Sequence, residues 1–387
     1  MKLLIYIWRN VTRNKLRSSL TILSVGFSLA LMTILFGYLA MQKAGELEAE
    51  KYDRVVVLNK LGFAAPLPIA HVEKVRKLDS VVTAMPFAWF GGNYKNKQAT
   101  FAQFAVDPEV AFDIYEELTI SDDQVEAFKK NRRGTVCSKR LAEQMQWELG
   151  DRIPLQGMIY QVDLDLELVG IYEAPTNSGA IWFNWKYLDE EAQRNPTGFG
   201  PGAGSIYVKC ANKDDVEEVA EEIDAMFANS DSSTRTRTEA AFARMFADML
   251  GDVQTYIKYI SFAVVFALAL VAATAMAMSM RERTTEIAVL KAIGFSKQRV
   301  LALVLGESTL IAIIGGALGI AGGLGALNLL ASVPIAASMF PIPVSELIGV
   351  WLLGLAGVAA AIGFVSGVVP AIMAAQLSVV DGLRRVV

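Results

Sequence analysis

Residues 281–299 read RERTTEIAVLKAIGFSKQR, a charged, helix-forming stretch between two apolar runs, Tyr259–Met280 and Val300 to about Val333. A charged segment on so short a tether between membrane spans is held at the membrane surface. A partner on that side can grip it and move the spans. Glu282 and Glu286 lie early in it and Lys291 late, the order the helix dipole prefers. Ile287, Leu290 and Ile293 form an apolar stripe, and Gly294 is a natural stop. Such an amphipathic helix can rest on lipid or plug a groove on a cytosolic partner.

Working outward, the sequence holds four apolar runs: 20–41, 259–280, 300–333 with the single charge Glu307, and 347–377. Each exceeds the roughly 20 residues that cross about 30 Å of hydrocarbon as a helix. Lys and Arg set the direction. Lys2, Arg9, Arg13, Lys15 and Arg17 precede the first run; Arg281, Arg283, Lys291, Lys297 and Arg299 separate the second and third; Arg384 and Arg385 follow the fourth. The loop 334–346 has neither residue. Both termini, the 281–299 loop and the tail 378–387 are therefore expected in the cytoplasm, and region 42–258 outside. The N-terminal 1–19, with Ile7 and Trp8 among basic residues, reads as an amphipathic helix on the inner surface or as a bare topology signal.

Small residues spaced by four let helices approach closely. Gly315, Gly319 and Gly323 in the third run, and Gly363 and Gly367 in the fourth, have that spacing. They are expected to pack spans within one subunit or at a subunit interface. Glu307 is expected to reach lipid headgroups from the end of its run, since a carboxylate in hydrocarbon is costly.

The 387 residues are 53% hydrophobic and 20% charged, with mean hydropathy +0.37. That combination suggests a few spans plus one polar domain. A net charge of −4 gives no reason to expect nucleic acid. The lone histidine, His71, excludes a two-histidine metal site and makes histidine-centred catalysis improbable. Cys137 and Cys210 form either one disulfide or two buried thiols, and their spacing is no metal signature. The first run is too long for a signal-peptide core. No G-x-S-x-G elbow or metalloprotease helix occurs, so a hydrolase is disfavoured.

Region 42–258 reads as mixed α/β. Strands are expected at 53–59, 100–106, 161–169 and 205–210, and helices at 69–78, 138–148, 214–228 and 239–250. Over 161–169, Val162, Leu164, Leu166 and Leu168 alternate with Asp163, Asp165 and Glu167: a half-buried strand whose acidic face is solvated and discourages edge pairing, or holds a cation. The glycine-rich 198–204 lacks the lysine of a nucleotide loop and precedes a strand, so it reads as a flexible loop. Aromatic clusters at 87–90 and 181–187 read as core or as a contact for apolar cargo or a partner.

The 281–299 stretch resembles the coupling region of the FtsX-like permeases of MacB/LolC-type ABC transporters, R-E-R-x-x-E-I-x-x-L-x-A-I-G. Arg281, Glu282, Arg283, Glu286, Ile287, Leu290, Ala292, Ile293 and Gly294 fit, with Lys291 where Arg is common. Glu307 followed by Ile314–Gly319 is similar to the family's E…GG-x-x-G span, and Val136–Leu155 to its S-x-x-L-A…L-G-D segment. The tail Pro370-Ala371…Ala374-Ala375…Leu383-Arg384 resembles the family's end, departing at Val379 and Gly382. The resemblance implies four transmembrane α-helices with a mixed α/β extracytoplasmic domain inserted between the first and second. It also implies a bacterial inner-membrane location, a second permease copy, and a cytosolic ABC ATPase that binds the ATP. No G-x-x-x-x-G-K-[ST] loop occurs here, so that ATPase is expected on another polypeptide. A periplasmic adaptor, an outer-membrane channel and membrane lipids are the further partners implied, and no cofactor belongs to the permease itself. Ile287, Leu290 and Ile293 would seat in the ATPase groove, with Arg281, Glu282, Arg283 and Glu286 at its rim. The rival reading is a membrane-anchored sensor or scaffold without ATP input.

Overall fold

The structure, a computed structural model, describes residues 12–13, 15–62, 65–95, 97–99, 101–175, 179–195, 199–249, 253–332 and 350–380. The N-terminal helix expected within 1–19 falls mostly outside these residues, as do the loop 334–346, the start of the fourth span and the end of the tail. Two compact units emerge.

Helix α1 (Lys15–Ala49) runs eight residues past the end of the first apolar run, so the helix continues beyond the hydrophobic stretch. The reason is local. Residues 42–49, QKAGELEA, are mostly good helix formers, and Lys43 pairs with Glu46 at 3.2 Å.

The described residues from 41 to 249 belong to the sheet unit. Its strands are β1 (Arg54–Asn59), β2 (Val81–Trp89), β3 (Asn93–Tyr94), β4 (Lys97–Gln98), β5 (Ala102–Val106), β6 (Gly134–Ser138), β7 (Arg152–Gln156), β8 (Asp163–Tyr172), β9 (Ala180–Asn184), β10 (Ser205–Cys210) and β11 (Thr234–Thr238). Among the described residues they form one sheet in the order β11-β1-β10-β2-β5-β9-β6-β8-β7-β3-β4. β5 pairs parallel with β9 and β6 with β8, while the other pairings are antiparallel. Helices α2 (Ile69–Val75), α3 (Ala111–Ile114), α4 (Asp122–Lys130), α5 (Lys139–Met145), α6 (Trp185–Arg194), α7 (Val216–Phe227) and α8 (Glu239–Met249) complete the unit.

β1, β6 and β9 are buried along their whole length. A strand covered on both faces shows no alternation, which is why β6 and β9 escape a period-two reading. β8 alternates as expected, with Leu164, Leu166 and Leu168 buried. It lies between β6 and β7, however, so its acidic face guards no edge. Arg152 and Arg133 reach Asp165 at 3.2 and 3.6 Å, and Asn131 donates to Glu167.

Most of the aromatic clusters is core. Phe87, Phe90, Trp182, Phe183, Trp185 and Tyr187 are buried, and Trp89 alone of these points outward. Cys137 and Cys210 are free thiols in separate clusters, and burial pushes each up to about 12. His71 is buried on α2 with its ring 3.9 Å from Phe227. Burial first, then the charge of Lys74, holds it below its ordinary 6.5. The folded chain therefore disfavours a proton that the unfolded chain accepts. Its contribution to stability is complete above pH 6.5 and is lost as pH falls toward the depressed folded value, by up to about 1.4 kcal/mol per unit. Melting the full chain between pH 7.5 and 5.5 should show this slope, and His71→Leu should flatten it; an equal slope in both would refute the assignment.

The helical unit continues with α9 (Val253–Glu282), α10 (Thr284–Ala292), α11 (Lys297–Ser332) and α12 (Val350–Gln376). Among the described residues, four helices are long and apolar enough to cross a membrane: Ser18–Ala49, Thr255–Glu282, Lys297–Leu330 and Leu353–Gln376. The sheet unit is inserted between the first and second of them. Val25, Leu29 and Met32 of α1 pack with Leu268 of α9 and Leu355, Ala359 and Ile362 of α12.

The glycines pack spans of this one chain. A Cβ on Gly315 would stand 2.9 Å from the Ile22 carbonyl, and one on Gly323 would stand 2.5 Å from Thr33 Cβ. A Cβ on Gly319 would strike the Gly26 carbonyl. Gly363 and Gly367 face Ala312 and Ser308 of α11.

Candidate functional site

The segment 281–299 is one short helix between two long ones, not a single amphipathic rod. α9 ends at Glu282, and Arg283 (φ −103°, ψ 15°) leaves helical geometry before α10 begins. Thr284 Oγ1 donates to the Arg281 carbonyl at 2.8 Å across the break. α10 stops at Ala292; Ile293 caps it, and Gly294 takes φ +102°, a left-handed conformation that glycine adopts without strain. α11 starts at Lys297, so Lys297 and Arg299 belong to the next helix.

Polar contacts fasten this elbow to α11 and to the end of α12. Arg283 Nη1 donates to Glu307 Oε1 and Oε2 of α11 at 3.0 and 2.9 Å, with side chains only 13% and 8% exposed. Lys291 Nζ donates to the carbonyls of Ala375 and Leu377, each at 2.6 Å. Ala375 lies in the last turn of α12 and Leu377 just past it, where helical carbonyls run out of intrahelical partners. Burial first, then Lys297, pulls the Lys291 ammonium below its ordinary value. Arg13 meets Glu286 at 2.5 Å, but at 64% and 37% exposure this pair contributes little.

These contacts redistribute the expected site. Ile287 is buried against Met280, Val300, Val304, Ala371 and Ala374, so it packs on the chain's own helices and cannot enter a partner's groove. Arg283 points inward to Glu307, not to a rim. Glu307 binds that arginine, where headgroup contact was expected. Leu290 is half-buried, whereas Ile293 and Val289 are 69% and 46% exposed. Arg281, Glu282 and Gly294 lie at the surface, and Glu286 is half-buried beside Arg13. The stripe fails as one face because α10 is only nine residues long and Ile293 sits beyond its last turn. A signal for the buried pair was present in the sequence. Glu307 is the only charge in its apolar run, and a carboxylate there requires a cation.

The family model described as MacB-like periplasmic core domain matches residues 18–226, over half of the chain, and that described as FtsX-like permease C-terminal matches residues 258–379. The chain belongs to the MacB- and FtsX-like ABC transporter permeases. An uncharacterized ABC transporter permease, YvrN of Bacillus subtilis (strain 168), is 33% identical over 113 residues, 28% of this permease and 25% of that relative. The permease thus aligns with about a quarter of that relative's length. Among solved structures, the periplasmic region of MacB from Actinobacillus actinomycetemcomitans is 14% identical, with TM-score 0.36 over 52% of this permease and 93% of that chain. The extracellular domain of YknZ, a noncanonic ABC-type transporter from Gram-positive bacteria, is 11% identical, with TM-score 0.36 over 48% and 99%. Subunits of this family are non-catalytic membrane components, and the elbow lies inside the C-terminal match.

Proposed function

We propose that a separate cytosolic ABC ATPase grips this permease at α10, and that the permease converts nucleotide-driven closure of that ATPase into work done by its sheet unit outside a bacterial inner membrane. The bias of Lys and Arg toward the termini and the 281–299 loop supports a cytoplasmic α10. One observation carries the reading: α10 and the residue that caps it turn apolar Val289 and Ile293 outward while ion pairing and carbonyl capping hold the segment to its own helices. A handle needs both properties, a face to be gripped and a rigid attachment. Val289, Leu290 and Ile293 enter the groove, with Arg281 and Glu282 at its edge. ATP is bound by the partner, and this permease carries no cofactor. Its further partners are a second permease copy, membrane lipids and, for export or extraction of cargo, an adaptor and an outer-membrane channel.

The test is Ile293→Asp combined with Val289→Asp. Neither side chain supports the interior, so the permease should still fold. Burying unpaired charge in an apolar groove costs several kcal/mol, so affinity for the ATPase should fall about a hundredfold or more. Co-purification and nucleotide hydrolysis by the complex read this out. Capture of the ATPase at the wild-type level by the variant would overturn the proposal. A full chain that captured no ABC ATPase would favour a sensor or scaffold.

A further inference from the structure

Within the sheet unit, the chain enters β1 directly after α1, and β11 leads directly into α8. β1 and β11 are adjacent, with Val56 opposite Arg237. Both connections to the membrane-spanning helices therefore leave from one edge of the sheet.

Arg54, the first residue of β1, is only 3% exposed. Its Nε donates to Glu239 Oε2 at 2.6 Å; Glu239 is the first residue of α8. Its Nη1 and Nη2 reach the two oxygens of Glu117, both at 2.9 Å, and Nη1 also donates to the Ile114 carbonyl at 3.1 Å. The guanidinium stacks on the rings of Tyr52 and Tyr115, 4.2 Å from each centroid. α8 is tied directly to the end of α1 by Arg244, which reaches Glu46 at 3.2 Å and also pairs with Glu50 just beyond the helix. A cavity of about 250 Å³ opens beside the group, lined by Gly45, Glu48 and Ala49 of α1 and by Trp182 of β9.

Burial opposes the charge on Arg54, but the Glu117 hydrogen bond and the charge of Glu239 outweigh it and raise the guanidinium above its ordinary value. Burial raises Glu239, against the pull of Arg54. Removing one member would strand a buried charge, so the three stand or fall together.

We propose that Arg54, Glu117 and Glu239 form an ion clamp that makes the end of α1, the start of α8 and the β1–β11 edge one mechanical body, so that displacement carried by either helix is delivered to the sheet. The use of that motion rests on the permease reading; the clamp itself does not. Arg54 acts here as a positioning residue. A hydrophobic joint could slide, whereas a planar fork held by two carboxylates and two rings fixes direction as well as distance.

The test is hydrogen exchange on the full chain. Arg54→Met combined with Glu117→Gln and Glu239→Gln leaves no bare charge buried, and Glu117→Gln alone is the milder variant. In the triple variant, amides of residues 45–49 and 239–249 should exchange at least about tenfold faster, with β2 and β10 unchanged, and Glu117→Gln should show a smaller effect in the same segments. With the ATPase bound, a nucleotide-dependent change should reach β1 and β10 in the wild type and stop at α1 and α8 in the triple variant. Wild-type exchange in both helical segments, or undiminished spread into β10, overturns the clamp. If the triple variant fails to fold, Glu117→Gln decides by the same readout. A wild-type complex with no nucleotide response refutes the permease reading, while the first measurement still judges the clamp.

Discussion

Glu307→Ala should lower the melting temperature of the detergent-solubilised full chain sharply, with a loss of about 3–5 kcal/mol, because it leaves the Arg283 guanidinium buried without its carboxylate. The pair is short, forked and almost wholly excluded from solvent. It also joins the turn between α9 and α10 to the first third of α11, so its loss should free the elbow as well as destabilise the helices. Glu286→Ala is the internal comparison. Its partner Arg13 is mostly exposed, and the loss there should stay within about 1 kcal/mol. Exchanging the charges, Arg283→Glu with Glu307→Arg, should recover part of the stability and of ATPase capture. A Glu307→Ala protein that melts with the wild type would mean that the pair is solvated and is no structural bolt.

Gly319→Leu should be nearly as damaging, whereas Gly322→Leu should be close to neutral. A Cβ at Gly319 would run into the Gly26 carbonyl and stand 2.9 Å from Leu29 Cβ. The first obstacle is backbone, so α1 and α11 must separate along their length. The expected cost is about 3 kcal/mol, the upper end for overpacking, because no side chain can swing away. Gly322 and Gly325 have nothing within 4 Å of their added carbon. Yield in detergent and melting temperature for the two variants make the comparison. Equal losses would mean that residual helix propensity, and not close approach of α1, explains the glycines.

The difference between Gly319 and Gly322 marks where sequence reading works. Spacing by four singled out Gly315, Gly319 and Gly323 and passed over Gly322 and Gly325, and the contacts with α1 separate the same two groups. Spacing left open whether the partner helix was the chain's own; that required the α1 backbone to be seen. β8 was legible because one of its faces is wet, and β10 because charge and turn residues bound it. β6, β9 and the polar β11, TRTRT, were not. The first two are buried on both faces, and β11 is identified as a strand only by its partner β1. At the elbow, the residue types were legible and their directions were not. Nine residues make too few turns for periodicity to say which side of α10 faces its own helices.

The sequence by itself determined the four spans and the inserted α/β domain, because hydropathy and charge are summed over many residues and tolerate local error. Only the tertiary structure decided that Ile287 and Arg283 turn inward, that Glu307 is paired, and that Arg54 gathers Glu117 and Glu239 from 63 and 185 residues away. Those pairings depend on which helix faces and strand ends the fold brings within about 3 Å, a distance that composition and period do not encode.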